Sequence, residues 1–193
     1  VKRRWEEFDP AALRLNLWLT QFIVLAVAAI GSLWVHGWKG TLLLFALPTL
    51  PELARAGAVA LAVVLASILM DRYLPRRWQD DGDINERIFR GLPFGTTALL
   101  CAVIGIGEEW LFRGVLLPLI GNGWTSLVFT LVHVRYLQKP LLVASVYGTS
   151  WLLGWLFESG GQLVTPILAH MAIDLLLALY IQYGCASERR NQE

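Results

Sequence analysis

The sequence predicts an all-α, polytopic integral membrane bundle of about six transmembrane helices, with both termini on the cytoplasmic side. Three observations carry that prediction. Hydrophobic residues make up 56% of the chain and charged residues only 16%, against the roughly 25% charged residues of soluble domains. Several apolar runs reach or approach the ~20 residues that a helix needs to cross the hydrocarbon. Lysine and arginine gather on alternate connecting segments, as the positive-inside rule requires. The length of 193 residues suggests one domain. A net charge of +1, with no basic stripe and no RNA- or DNA-binding motif, argues against nucleic acid as a partner. Cys101 and Cys185 stand far apart, with neither metal spacing nor a disulfide framework.

Residues 1–10 form a charged lead-in that carries Lys2, Arg3, Arg4, Glu6, Glu7 and Asp9. The first span follows at 13–35. A signal peptide shares the basic start and a small-residue stretch like Ala26 to Ala29, but its apolar core is only about 7–15 residues, so a span is favoured. Trp34 and Trp38 would then lie at the far interface. Residues 41–50 are apolar but short and contain Pro48, with Pro51 just beyond, which reads as an interfacial or re-entrant piece. After the polar residues 52–55 comes the second span, 56 to about 74. Residues 76–90 are the most polar internal segment, with a short amphipathic helix expected at Ile84 to Phe89.

The third apolar run, 92–120, is too long for a straight crossing. Its roughly 29 residues would reach roughly 43 Å against a ~30 Å core, so it must tilt, protrude or break. Gly105 and Gly107 are natural places for a local distortion. Gly121-Asn122-Gly123 reads as a tight turn, followed by a short fourth span at 124–137. The fifth and sixth spans are expected at 141–157 and 163–183. Under this topology the inner segments hold most of the Lys and Arg, and the outer loops only Lys39 and Arg55. The chain thus divides into residues 1–90 (lead-in, two spans, polar cytoplasmic loop), a four-span core at 91–185 and a polar C-terminal tail at 186–193. The expected location is a bacterial plasma membrane, with multiple passes.

The chemistry concentrates within the core. Gly-Glu-Glu-Trp-Leu-Phe-Arg-Gly, 107–114, lies inside the third apolar run. Each ionisable group at that depth costs roughly 2.5–3.5 kcal/mol on insertion scales, so such groups are functional candidates by default. Glu109 and Arg113 are spaced i,i+4 and can pair on a helix. Glu108 is rotated about 100° away, which leaves its lone pairs free to take a proton. The plainer reading is an ion pair that joins helices, with the second glutamate protonated or snorkelling. Phe129 and His133 share one helical face, and the plainer reading of His133 is an interfacial histidine. His170 and Asp174 are again i,i+4, well inside the sixth span. They either satisfy each other or form an oriented imidazole–carboxyl pair. His36 reads as an interfacial residue of no special role. No serine or cysteine stands in a nucleophile context, so a Glu-plus-His set points to activated water, by general base or by a metal-bound hydroxide.

The ordered set Glu108-Glu109-x-x-x-Arg113, Phe129-x-x-x-His133 and His170-x-x-x-Asp174 resembles the three motifs of the CPBP family, the CAAX prenyl endopeptidases and bacteriocin-processing, abortive-infection-like membrane proteins. The resemblance covers about residues 92–183. It implies an intramembrane glutamate-dependent endopeptidase without a cofactor. Glu108 would activate water with the help of His133, while His170 and Asp174 would stabilise the oxyanion. Glu109, Arg113 and Phe129 would support the site. The implied partners are the lipid bilayer and a peptide or membrane-protein substrate, prenylated or not.

Two other readings stay open on the residues. Glu108, His133 and His170 could ligate zinc with an open position, although the usual His-Glu-x-x-His helix is absent. A non-enzymatic scaffold or regulator could use the same fold. A proton-coupled transporter fits poorly, since no paired repeat is visible. One difficulty follows from these spans: His133 falls near the cytoplasmic end of its helix, whereas Glu108 and His170 fall nearer mid-membrane.

Overall fold

The structure, a computed structural model, describes residues 9–75, 78 and 84–190. The charged lead-in before Asp9, most of the polar stretch between Pro75 and Ile84, and the last three residues lie outside the described residues. The described part is helical, in the order α1 (Pro10–Leu43), α2 (Leu50–Tyr73), α3 (Ile84–Phe89), α4 (Phe94–Glu109), a π-helical segment (Trp110–Leu116), α5 (Leu117–Val132), a 3-10 turn (Val134–Tyr136), α6 (Pro140–Gly160) and α7 (Val164–Arg190). The expected all-α, multi-pass architecture is the one observed. Five stretches are long and apolar enough to cross a membrane: α1, α2, the continuous run Phe94–Val132, α6 and the Val164–Tyr183 part of α7.

The long run explains the difference between five stretches and the six legs expected. It holds 39 residues, and Gly121 interrupts it with φ 75 and ψ 164. That backbone region is essentially restricted to glycine, and the chain reverses there. Asn122 donates to the Trp151 carbonyl and to Glu158 in the second half of α6, while Thr130 and Leu137 lie beside the start of α6. The returning leg after Gly121 spans only ~16 Å at helical rise, half of the hydrocarbon thickness.

Other local features follow from the sequence in ways the apolar runs alone do not show. Gly37, at φ 66 and ψ 178, breaks α1 near the Trp34 and Trp38 end. The last turn folds back, with Ser32 Oγ 3.0 Å from Thr41 Oγ1. The second span starts earlier than the expected residue 56, and Pro51 belongs to it. This proline lies in the first turn of α2, where a missing N–H costs nothing. Thr49 donates from its backbone N–H and its hydroxyl to Glu52, closing that end. The residues expected as polar punctuation are therefore the first turn of the helix. α3 occupies the stretch expected to form a short amphipathic helix, with Ile84 and Ile88 buried.

Packing follows membrane logic. α1 exposes Leu15, Leu19, Phe22, Ile23, Ile30 and Trp34, an outward face suited to lipid. Ala56 and Ala60 of α2 meet Leu153 and Leu156 of α6 and Ala169 and Ile173 of α7 in one buried cluster. Small residues at such contacts let helix backbones approach closely where lipid supplies no hydrophobic drive. The closest approach that bears on the site is between α4 and α7. A Cβ on Gly105 would stand 2.9 Å from Met171 Cγ and 3.4 Å from the Met171 backbone nitrogen. The missing side chain at 105 brings the next turn of α4, with its glutamates, against His170.

Candidate active site

α4 stays regular through Glu109, and the widening lies beyond it, at Trp110–Leu116, not at Gly105 or Gly107. Single π turns inside helices are frequent at functional sites. A π turn also changes which carbonyls find partners. The Gly114 carbonyl accepts from His36 Nε2 of α1 at 2.6 Å. His36, read from the sequence as a residue of no special role, thus holds the backbone of this segment.

The two adjacent glutamates have opposite surroundings. Glu109 is fully buried, as is Arg113. Arg113 Nη1 donates to Glu109 Oε1 at 2.8 Å, and Nη2 donates to the Ser150 carbonyl at 2.7 Å and to Ser150 Oγ at 2.8 Å. Its guanidinium also lies over the Phe129 ring, 5.1 Å from the centroid. The same Glu109 oxygen receives His170 Nδ1 at 2.7 Å. A carboxylate accepts, so Nδ1 carries the proton and the Nε2 edge is turned the other way. There Asp174 Oδ2 stands 3.5 Å from Nε2. Glu109 therefore ties α4, α6 and α7 together through one arginine and one histidine.

Glu108 points elsewhere. It is partly exposed and lines a cavity of about 640 Å³ together with Phe129, His133, His170 and Asp174. That volume falls within the roughly 300–1,000 Å³ of small-ligand sites. No described residue gives the Glu108 carboxylate a hydrogen bond or an ion pair. The difficulty over depth disappears in this geometry. α5 ends at Val132, short of the expected end at Leu137, and His133 caps it with φ −81 and ψ 52. The His133 ring is 4.6 Å from that of Phe129, its Nδ1 lies 2.7 Å from the Phe129 carbonyl, and Tyr136 stacks on its other side at 5.9 Å. Nδ1 thus donates to the carbonyl and leaves Nε2 as the acceptor in the neutral ring. The half-length leg carries His133 to the same cavity as Glu108.

Every residue expected in the site therefore lies in or directly behind one cavity. Sequence reasoning missed Ser150, the α6 anchor of Arg113, for which the chain offers no local signal. Tyr136 was also missed, though an aromatic three residues after a histidine was visible. Gln21 on α1, buried and lining the cavity, was a polar residue inside an apolar run and could have been noticed. Among the described residues, no group of three His, Cys, Asp or Glu side chains is arranged to hold a metal ion.

Comparison with known proteins places these observations. Residues 86–176 match the family described as type II CAAX prenyl endopeptidase Rce1-like. That segment runs from within α3 to about the middle of α7 and contains all three motifs. The chain is also 34% identical over 176 residues, 91% of its own length and 93% of the relative's, to the uncharacterized protein YpbD of Bacillus subtilis (strain 168). No solved structure matches it. The protein is an integral, multi-pass membrane protein, and with its three motifs on helices around one cavity it belongs to the Rce1-like CAAX prenyl endopeptidase family, within the CPBP group that those motifs resemble.

Proposed function

We propose that the protein is an intramembrane endopeptidase that hydrolyses a peptide bond of a membrane-associated peptide or protein with water activated by Glu108. The observation that carries this reading is the division of labour between neighbours: Glu109 is consumed by Arg113 and His170, while Glu108 faces the cavity beside His133, His170 and Asp174. The family's peptidase chemistry agrees with it.

In this reading the carboxylate of Glu108 takes a proton from a water held between it and His133 Nε2. The hydroxide attacks the peptide carbonyl, and the C–N bond breaks as Glu108 returns the proton to the leaving amine. Charge develops on the carbonyl oxygen in a cavity lined mainly by apolar helix faces. A proton carried by His170 Nε2 or by Asp174 would hydrogen-bond that oxygen, with Nδ1 held on Glu109 so that the ring need not reorient. Arg113 does not reach the cavity. It holds Glu109, and Glu109 holds His170.

The test is cleavage of a quenched-fluorescent peptide library by the purified protein, with soluble and farnesylated members in parallel. Wild type is compared with Glu108→Gln, with and without chelator. Cleavage lost in Glu108→Gln and indifferent to chelator is the expected result. Loss on chelation with recovery on adding zinc would put a metal in place of the glutamate mechanism. A folded wild type silent on every peptide would leave a scaffold or regulator as the better account.

A further inference from the structure

We propose that Gln21, on α1, binds substrate: its side-chain amide pairs with a peptide group of the bound chain next to Glu108. The inference rests on the endopeptidase reading and adds a specificity element from outside the family-matched segment, which begins at residue 86. Gln21 is only 2% exposed, in the middle of the apolar leg of α1. Its Oε1 is buried and has no hydrogen-bond partner among the described residues. The side chain lines the same cavity as Glu108, His133 and His170. Oε1 stands 3.2 Å from where a Cβ on Gly107 would be, so the amide sits against the backbone immediately before Glu108.

A buried amide oxygen without a partner is costly, and such groups in native proteins have a reason. Membrane depth sharpens the point, since no bulk water can complete the bonds. A primary amide carries two donors and an acceptor, and it keeps this need whichever way the oxygen and nitrogen are assigned. The matching ligand is a peptide group. A substrate chain that enters an apolar cavity brings backbone N–H and C=O groups that must be paired there. Gln21 offers both kinds of partner without adding a charge beside the glutamates. The other α1 residues that line the cavity are Leu13, Asn16, Leu17 and Thr20, so the amide has both polar and apolar surface beside it with which to fix register.

The experiment measures kcat and KM for wild type, Gln21→Leu and Gln21→Met on one peptide that wild type cleaves. Analogues of that peptide N-methylated at single backbone amides around the scissile bond are run alongside. Thermal midpoints are measured in the same detergent. Loss of the amide is expected to raise KM about tenfold with little change in kcat, as removal of a binding hydrogen bond does. The thermal midpoint should hold or rise, because an unsatisfied buried polar group has been removed. One methylated analogue should be penalised with wild type and not further with Gln21→Leu. Unchanged KM in both variants, or equal methylation penalties with and without the amide, overturns the proposal while leaving the endopeptidase intact. If Gln21→Leu does not fold, Gln21→Met, of similar length, gives the same readings. A wild type that cleaves no peptide sinks the endopeptidase reading and this inference with it.

Discussion

His170 Nδ1 lies 2.7 Å from Glu109 Oε1, so the third motif is docked on the first across 61 residues of sequence. The oxygen that receives this ring also receives Arg113. One buried carboxylate therefore sets the positions of a charged group from its own helix and an imidazole from α7. Its other oxygen, Oε2, is buried and has no hydrogen-bond partner among the described residues.

The two glutamates should separate cleanly by experiment. Glu108→Gln is expected to lower kcat by about 10²–10⁴, the usual weight of a general base, with unfolding free energy within about 1 kcal/mol of wild type. Glu109→Gln should cost about 3–5 kcal/mol, because it leaves a buried guanidinium without its counter-charge. SDS titration in mixed micelles, run beside a peptide-cleavage assay, reads both quantities. Equal stability losses would contradict the partition.

Arg113 is anchored on two sides, and the anchors should be unequal. Ser150→Ala removes the hydroxyl but keeps the Ser150 carbonyl bond. Its expected cost is about 1–2 kcal/mol, the scale of one hydrogen bond to a charged donor. Arg113→Leu should cost several times more than Ser150→Ala by the same titration. In an Arg113→Leu, Glu109→Gln double variant, the penalty should fall below the sum of the singles, since neither charge is then left alone.

The reversal at Gly121 depends on a conformation that side chains resist. Gly121→Ala should destabilise by about 1–3 kcal/mol. If the strain is relieved by moving the returning leg, His133 moves with it. Cleavage activity should then fall further than stability alone accounts for. The comparison is made at a temperature where both proteins are folded.

His36 should matter more than an interfacial histidine would. His36→Leu leaves the Gly114 carbonyl without its donor and should cost about 1–3 kcal/mol. His36→Gln, which can still donate, should recover part of that. Equal losses in the two variants would mean that ring packing, not the hydrogen bond, holds the π segment.

The legible parts of this protein were local ones. Hydropathy located α2, α6 and α7 to within several residues at each end, because crossing a bilayer imposes a length and a composition over one continuous stretch. Spacing of i,i+4 was enough to expect the Glu109–Arg113 pair, since both residues sit on the same turn-to-turn face of one helix. Gly121-Asn122-Gly123 announced a reversal through its own backbone freedom. Helix ends were less legible. The stop at Val132 depends on His133 turning its ring back to the Phe129 carbonyl, and no periodicity encodes that.

By itself the sequence determined an all-helical membrane protein, a reversal near Gly121 and three motifs rich in ionisable groups, because hydropathy, glycine geometry and helical spacing are properties of neighbouring residues. Only the tertiary structure decided which glutamate is spent on Arg113 and His170 and which one faces the cavity. It alone brought in Ser150, His36 and Gln21. The physical reason is that these pairings depend on how α1, α4, α6 and α7 rotate and approach one another, and a close approach such as Gly105 against Met171 is a property of two helices together.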